Sequence, residues 1–125
     1  MSSLTETQIR NMVERYRTKL GIRRKIAVNF LDMRTEKFHG FGGIRAFSGP
    51  RITLNSKVFE RFTDDDVKRL VVHEMMHAWK AEYSRGGPKG NRGHSAAFYR
   101  AYYQSLRILG IPPDRFHPMN VRGKI

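Results

Sequence analysis

Apolar residues near the start of the chain recur at the spacing of a single helical stripe. Ile9, Met12, Val13, Tyr16 and Leu20 fall at i, i+3, i+4, i+7 and i+11. Thr5 followed by Gln8 makes a capping box, Leu4 and Ile9 have the spacing of a hydrophobic staple, and Gly21 supplies the stop. A helix is predicted between these signals, with Arg10, Arg15, Arg17 and Lys19 on its other face. The period then shortens to two: "KIAVNFLD" alternates Ile26, Val28 and Phe30 with Ala27, Asn29 and Leu31, and its β-branched content favours a strand. "GFGGIRAF" and "RITLNS" read as two more strands, with Ser48, Gly49 and Pro50 as the turn between them. The expected product is a small antiparallel three-stranded sheet. Gly40, Gly42 and Gly43 suit a bulge or a close backbone approach, and a plain loop equally well.

A second helix is predicted after Thr63. Asp66 completes a capping box, and Asp64, Asp65 and Asp66 lie at the positive end of the helix dipole. It should run to about Tyr83, where the Gly- and Arg-rich loop "RGGPKGNRG" begins. "HSAAFYRAYYQSLRILG" is a third helix, closed by Gly110 ahead of Pro112 and Pro113, with Tyr99, Tyr103 and Leu106 spaced as a packed stripe. Residues 111–125 form a basic, poorly patterned tail. With no repeat or linker, residues 1–125 read as one α+β domain: the antiparallel sheet packed with about three helices, "HEMMH" on the central one.

Composition narrows the chemistry. The chain has no cysteine, which excludes disulfides, thiolate catalysis and thiolate zinc sites, so a metal here needs His, Asp or Glu. No apolar run approaches the length of a membrane span and no secretory leader is legible, so the expected address is intracellular: cytoplasm, or nucleoid or nucleus. A formal charge of +13 makes nucleic acid the leading partner class, against the plainer alternative of a solvated basic surface.

In "VVHEMMHAWK", His73 and His77 stand about 40° apart around a helix and about 6 Å apart along it, so both imidazoles can reach one ion. Zinc accepts neutral imidazoles, and its catalytic sites use three protein ligands with water in the fourth position. Glu74, beside His73, is then placed to take that water's proton. Val67, Leu70, Val71, Ala78 and Ala81 lie on one stripe that Glu74 also occupies, and a carboxylate there is costly unless a cation compensates it. The alternative is a buried helix with two satisfied core histidines. Among downstream donors Glu82 points about 140° from His77, and Asp114 and His117 lie in the tail. His94, which opens the third helix after a loop long enough to turn back, is the expected third ligand, with His117 in reserve.

"HEMMHAW" followed by "GHSAAF" resembles the protease core of the SprT-like, Spartan-related zinc metalloproteases. Gly93, His94 and Phe98 match the Gly-His pair with an aromatic four positions on, and "GPRITLNSKVF" looks like the strand and lead-in before the active-site helix. The resemblance covers roughly residues 5 to 110. It implies a zincin-like fold, one zinc per chain on His73, His77 and His94, Glu74 as catalytic carboxylate, and DNA-dependent cleavage of proteins bound or crosslinked to DNA. The C-terminal zinc ribbon that many members carry has no counterpart, because the chain has no cysteine. Arg85, Lys89 and Arg92 in the glycine-rich loop are the candidate DNA contacts, single-stranded DNA included, with a solvated loop as the alternative. The expectation is a monomeric zinc endopeptidase acting on protein substrates with DNA as partner. Two rival readings stand beside it: a zinc peptidase that ignores DNA, and a DNA-binding module with a structural zinc.

Overall fold

A computed structural model describes residues 2–32, 40–45, 49–79 and 96–114. Helix α1 spans Glu6–Lys19. Its capping box is formed in both directions, the Gln8 amide donating to Thr5 Oγ1 at 3.1 Å and the Thr5 amide to Gln8 Oε1 at 2.9 Å. The buried stripe is Ile9, Met12, Val13 and Tyr16. Gly21, at φ 75°, turns the chain so that the Ile22 amide reaches back to the Arg17 carbonyl at 2.9 Å.

Three strands follow: β1 (Ala27–Leu31), β2 (Gly40–Arg45) and β3 (Gly49–Asn55), in the spatial order β1-β3-β2. The α+β composition is as expected, but the antiparallel sheet is not. Only β2 and β3 pair antiparallel; β1 lies parallel to β3, in register Val28 with Ile52 and Phe30 with Leu54. Two physical reasons account for the mixed sheet. Residues 32–39 make too long a connection for a tight β1–β2 hairpin, whereas residues 46–48 join β2 to β3 directly. Ile52 and Leu54 are also fully buried, so β3 takes the centre and β1 adds to its far side.

Gly49 and Pro50, expected in the turn, are the first two residues of β3, with Gly49 at φ 79°, a conformation suited to glycine. Gly40, Gly42 and Gly43 pair without a break opposite Leu54, Ile52 and Arg51, so they form neither a bulge nor a loop.

After a 3-10 segment, Ser56–Glu60, helix α2 runs Asp64–Trp79, and helix α3 spans Ala96–Leu109. The α2 capping box is made by the Asp66 amide on Thr63 Oγ1 at 3.1 Å and the Thr63 amide on Asp66 Oδ2 at 3.0 Å. Asp64 is gripped from the chain's start, accepting from Ser2 Oγ at 2.7 Å and the Ser3 amide at 2.8 Å. Arg69 donates to Asp66 and to the Pro112 carbonyl, both at 2.7 Å, tying the segment after α3 to α2. Helix α2 packs against β2, β3 and α3 and buries residues nearly all round, Val67, Val71, Val72, Met75 and Met76 among them. It is the core element of the domain.

The central place of β3 is testable by truncation. Leu54→Ala should cost about 2–5 kcal/mol in denaturant unfolding, whereas Leu31→Ala, at a position 53% exposed on β1, should change stability by about 0.5 kcal/mol or less. Equal losses would contradict the topology.

Candidate metal centre

Each side chain of the site owes its place to α2. His73 and His77 project from successive turns, are half-buried, and have ring centroids 5.0 Å apart. Their other neighbours come from α3. Phe98 is fully buried, stacks on His77 at 4.4 Å and 19° between ring planes, and meets His73 edge-on at 5.0 Å. Tyr102, one turn further on, lies 5.6 Å from His73. One aromatic wedge thus packs both imidazoles on one side and limits how their planes can turn.

The α3 face includes the expected Tyr99, Tyr103 and Leu106 stripe, which packs on the core, and is wider than it. Its buried residues are Phe98, Tyr99, Tyr102, Ser105 and Leu106, while Tyr103 is only half-buried. Ser105 is tolerated in the core because its hydroxyl donates to Met76 Sδ at 3.6 Å. Phe98 is visible in sequence as a motif match, but its stacking on His77 is not. The signal for it in sequence is the i, i+4 pair Phe98 and Tyr102, which must face a common surface.

Glu74 retains 5% of its exposure and has no hydrogen-bond or ion-pair partner among the described residues. Burial pushes its carboxyl up to about 8. The Tyr102 hydroxyl donates to Asp114 Oδ1 at 3.2 Å; burial first, and that carboxylate second, push its pKa well above the usual phenol range. Of the groups able to donate to an oxyanion, Tyr102 is therefore engaged by Asp114 and Tyr99 is 2% exposed, while Arg92 lies outside the described residues. Trp79, two residues past His77, points about 200° around α2 from it and lines a separate cavity with Arg23, Arg24 and Pro50.

The donor set fits a metal ion. Two imidazoles lie side by side and half-buried, and next to them in sequence is a buried carboxylate whose charge a cation would compensate. Among the described residues no three His, Asp or Glu side chains converge. His94 and His117 lie outside those residues, as do Arg85, Lys89 and Arg92.

These features, an α+β domain with HExxH on its central helix, are those of a metallopeptidase-type core. The chain matches the SprT-like family over residues 4–117 and belongs to that family. Its structure is similar to the crystal structure of the metallopeptidase zymogen abylysin of Pyrococcus abyssi, with a TM-score of 0.52 and 21% identity over 82% of this chain and 87% of that one. At that identity the likeness bears on the fold. No curated protein sequence matches the chain. No helix among the described residues is long and apolar enough to cross a membrane.

The Glu74 environment generates a pH prediction for the metal-free protein. An unfolded carboxyl titrates near 4.5 and the folded one near 8, so the folded state holds the proton more tightly and stability falls as pH rises between those values. Glu74→Gln removes that loss. The variant should match the wild type near pH 4 and exceed it by a few kcal/mol, in order of magnitude, at pH 8, measured by denaturant unfolding in chelator. A constant difference across that range would contradict the burial of the carboxylate.

Proposed function

We propose that the protein is a zinc-dependent endopeptidase of the SprT-like family that acts on proteins associated with DNA. The observation that carries the reading is the buried Glu74 next to two imidazoles held together at 5.0 Å. His73 and His77 would hold the ion, with His94 as third ligand and His117 in reserve. Zinc bound there supplies a Lewis acid for the scissile carbonyl and for the attacking water.

The chain's own groups do the rest. Glu74 would take a proton from the attacking water and return it to the leaving amide nitrogen. Phe98 and Tyr102 keep the imidazoles from swinging away from the ion. Strand β2 lies at the sheet edge against α2, and its outer edge has no partner strand among the described residues. An extended substrate can add there through main-chain hydrogen bonds, which fix its register beside the carboxylate while leaving side-chain preference broad.

The DNA part of the reading is supported by the +13 charge, which favours polyanions, and by Arg85, Lys89 and Arg92 in the sequence between α2 and α3. A peptidase indifferent to DNA and a DNA-binding module with structural zinc are the competing outcomes. An intact Glu74 argues against the last, because a structural site has no use for a general base.

The test is cleavage of a basic DNA-binding protein by zinc-loaded enzyme, with and without single-stranded DNA. Turnover should require both DNA and Glu74, falling by about 10²-fold or more in Glu74→Gln, whose zinc content and fold should be unchanged. Cleavage that ignores DNA would remove the DNA part. Zinc lost from His117→Ala but kept by His94→Ala would replace the third ligand.

A further inference from the structure

At the free edge of β1, a cleft of about 400 Å³ is lined by residues of α1, β1 and β3: Glu6, Arg10, Asn29, Phe30, Leu31, Arg51 and Thr53. Arg51 and Thr53 alternate with the buried Ile52 and Leu54, which places them on the face away from the core. The strand neighbours of Arg51 are Ala27 and Gly43, a methyl group and no side chain, so its guanidinium is not crowded across the sheet. The Arg51 Nε–H is buried with no acceptor among the described residues, a state that destabilises a donor.

The second guanidinium is fixed in place. Arg10 donates Nη1 to the Val28 carbonyl at 2.6 Å and lies 5.1 Å over the Phe30 ring. This contact occupies the free edge of β1 and holds the charge at the cleft wall. Asn29 and Thr53 add neutral hydrogen-bonding groups. Glu6 is the one carboxylate, and two guanidiniums against it leave the cleft net positive.

From this arrangement we infer that the cleft is an anion site whose ligand is a phosphodiester of a nucleic-acid strand, with Arg51 and Arg10 contacting phosphate oxygens and Asn29 and Thr53 completing the shell. Guanidiniums suit this task because their planar fork pairs with phosphate oxygens two at a time. A ligand oxygen that draws the Arg51 guanidinium outward also supplies the acceptor its Nε–H lacks. The cleft lies at the β1 edge of the sheet, with β3 between it and β2, so a strand held there leaves the outer edge of β2 open to a protein substrate. The assignment of a nucleic-acid source rests on the DNA-associated reading above; the anion site itself rests on the cleft.

The test is fluorescence anisotropy of a short labelled oligothymidylate against the full chain across a salt series. Arg51→Gln should weaken binding by about fivefold to tenfold at low salt and reduce the slope of log K against log salt by about 0.7 for each phosphate that is no longer neutralised. Arg107→Gln, the same charge change at an exposed position on α3, should stay within about twofold of wild type. Thr53→Val, which keeps the charge, should weaken binding without altering the slope, and thermal unfolding verifies that each variant is folded. Equal weakening in Arg51→Gln and Arg107→Gln would overturn the site while leaving the DNA reading in place. An oligonucleotide that fails to bind the wild type would overturn both. Arg51-dependent stabilisation by inorganic phosphate, with no Arg51 effect on the oligonucleotide, would overturn the nucleic-acid source.

Discussion

A carboxylate buried on a helix that is itself buried is the constraint on which the rest of the structure depends. Helix α2 is covered by the sheet on one side and α3 on the other, and Glu74 lies within it at 5% exposure. Burying an ionised carboxyl without a partner costs several kcal/mol, enough to consume much of a small domain's stability. The chain bears that cost with a well-anchored helix. The Thr63–Asp66 box, the grip of Ser2 and Ser3 on Asp64 and the Arg69 clasp to Pro112 all act at or near its first turns. Those anchors hold the helix start while its later turns carry His73, Glu74 and His77, and under the proposed function a metal ion would offset the cost of Glu74.

The sheet serves the same element. With Ile52 and Leu54 at its centre, β3 provides an apolar floor, and β2, whose Gly40 and Gly42 carry no side chain, lies against α2 at the sheet edge. On the other side, Phe98 and Tyr102 supply a wall of aromatic surface that locates two imidazoles without charging them. The two faces of the sheet differ: the inner face supports helix α2 with His73, Glu74 and His77, while Arg51 and Thr53 of β3 lie on the outer face.

Local signals in the sequence carried most of this. Both capping boxes, the α1 stripe and the burial of Glu74 on an apolar face follow from residue spacing, because these features are set within one or two helical turns. The sheet order did not follow. Strand pairing is a long-range competition, and the clue that β3 is central was present only in its paired apolar positions and in the length of segment 32–39. The width of the α3 face has a similar origin: a helical stripe read by hydrophobicity alone passes over Ser105, whose burial depends on the Met76 sulfur of another helix. The Arg10 and Arg51 cleft was invisible for the same reason, since the two residues are far apart in sequence and meet only across α1 and β3.

The central claim is that His73 and His77 hold a metal ion beside a carboxylate that does not bind it. Its most direct test is an anomalous difference map at the zinc absorption edge from crystals grown with zinc. The account predicts one peak within about 2.0–2.1 Å of an imidazole nitrogen of both His73 and His77, with the Glu74 oxygens outside bonding distance. No peak at these histidines, or one whose ligands include Glu74, would contradict it.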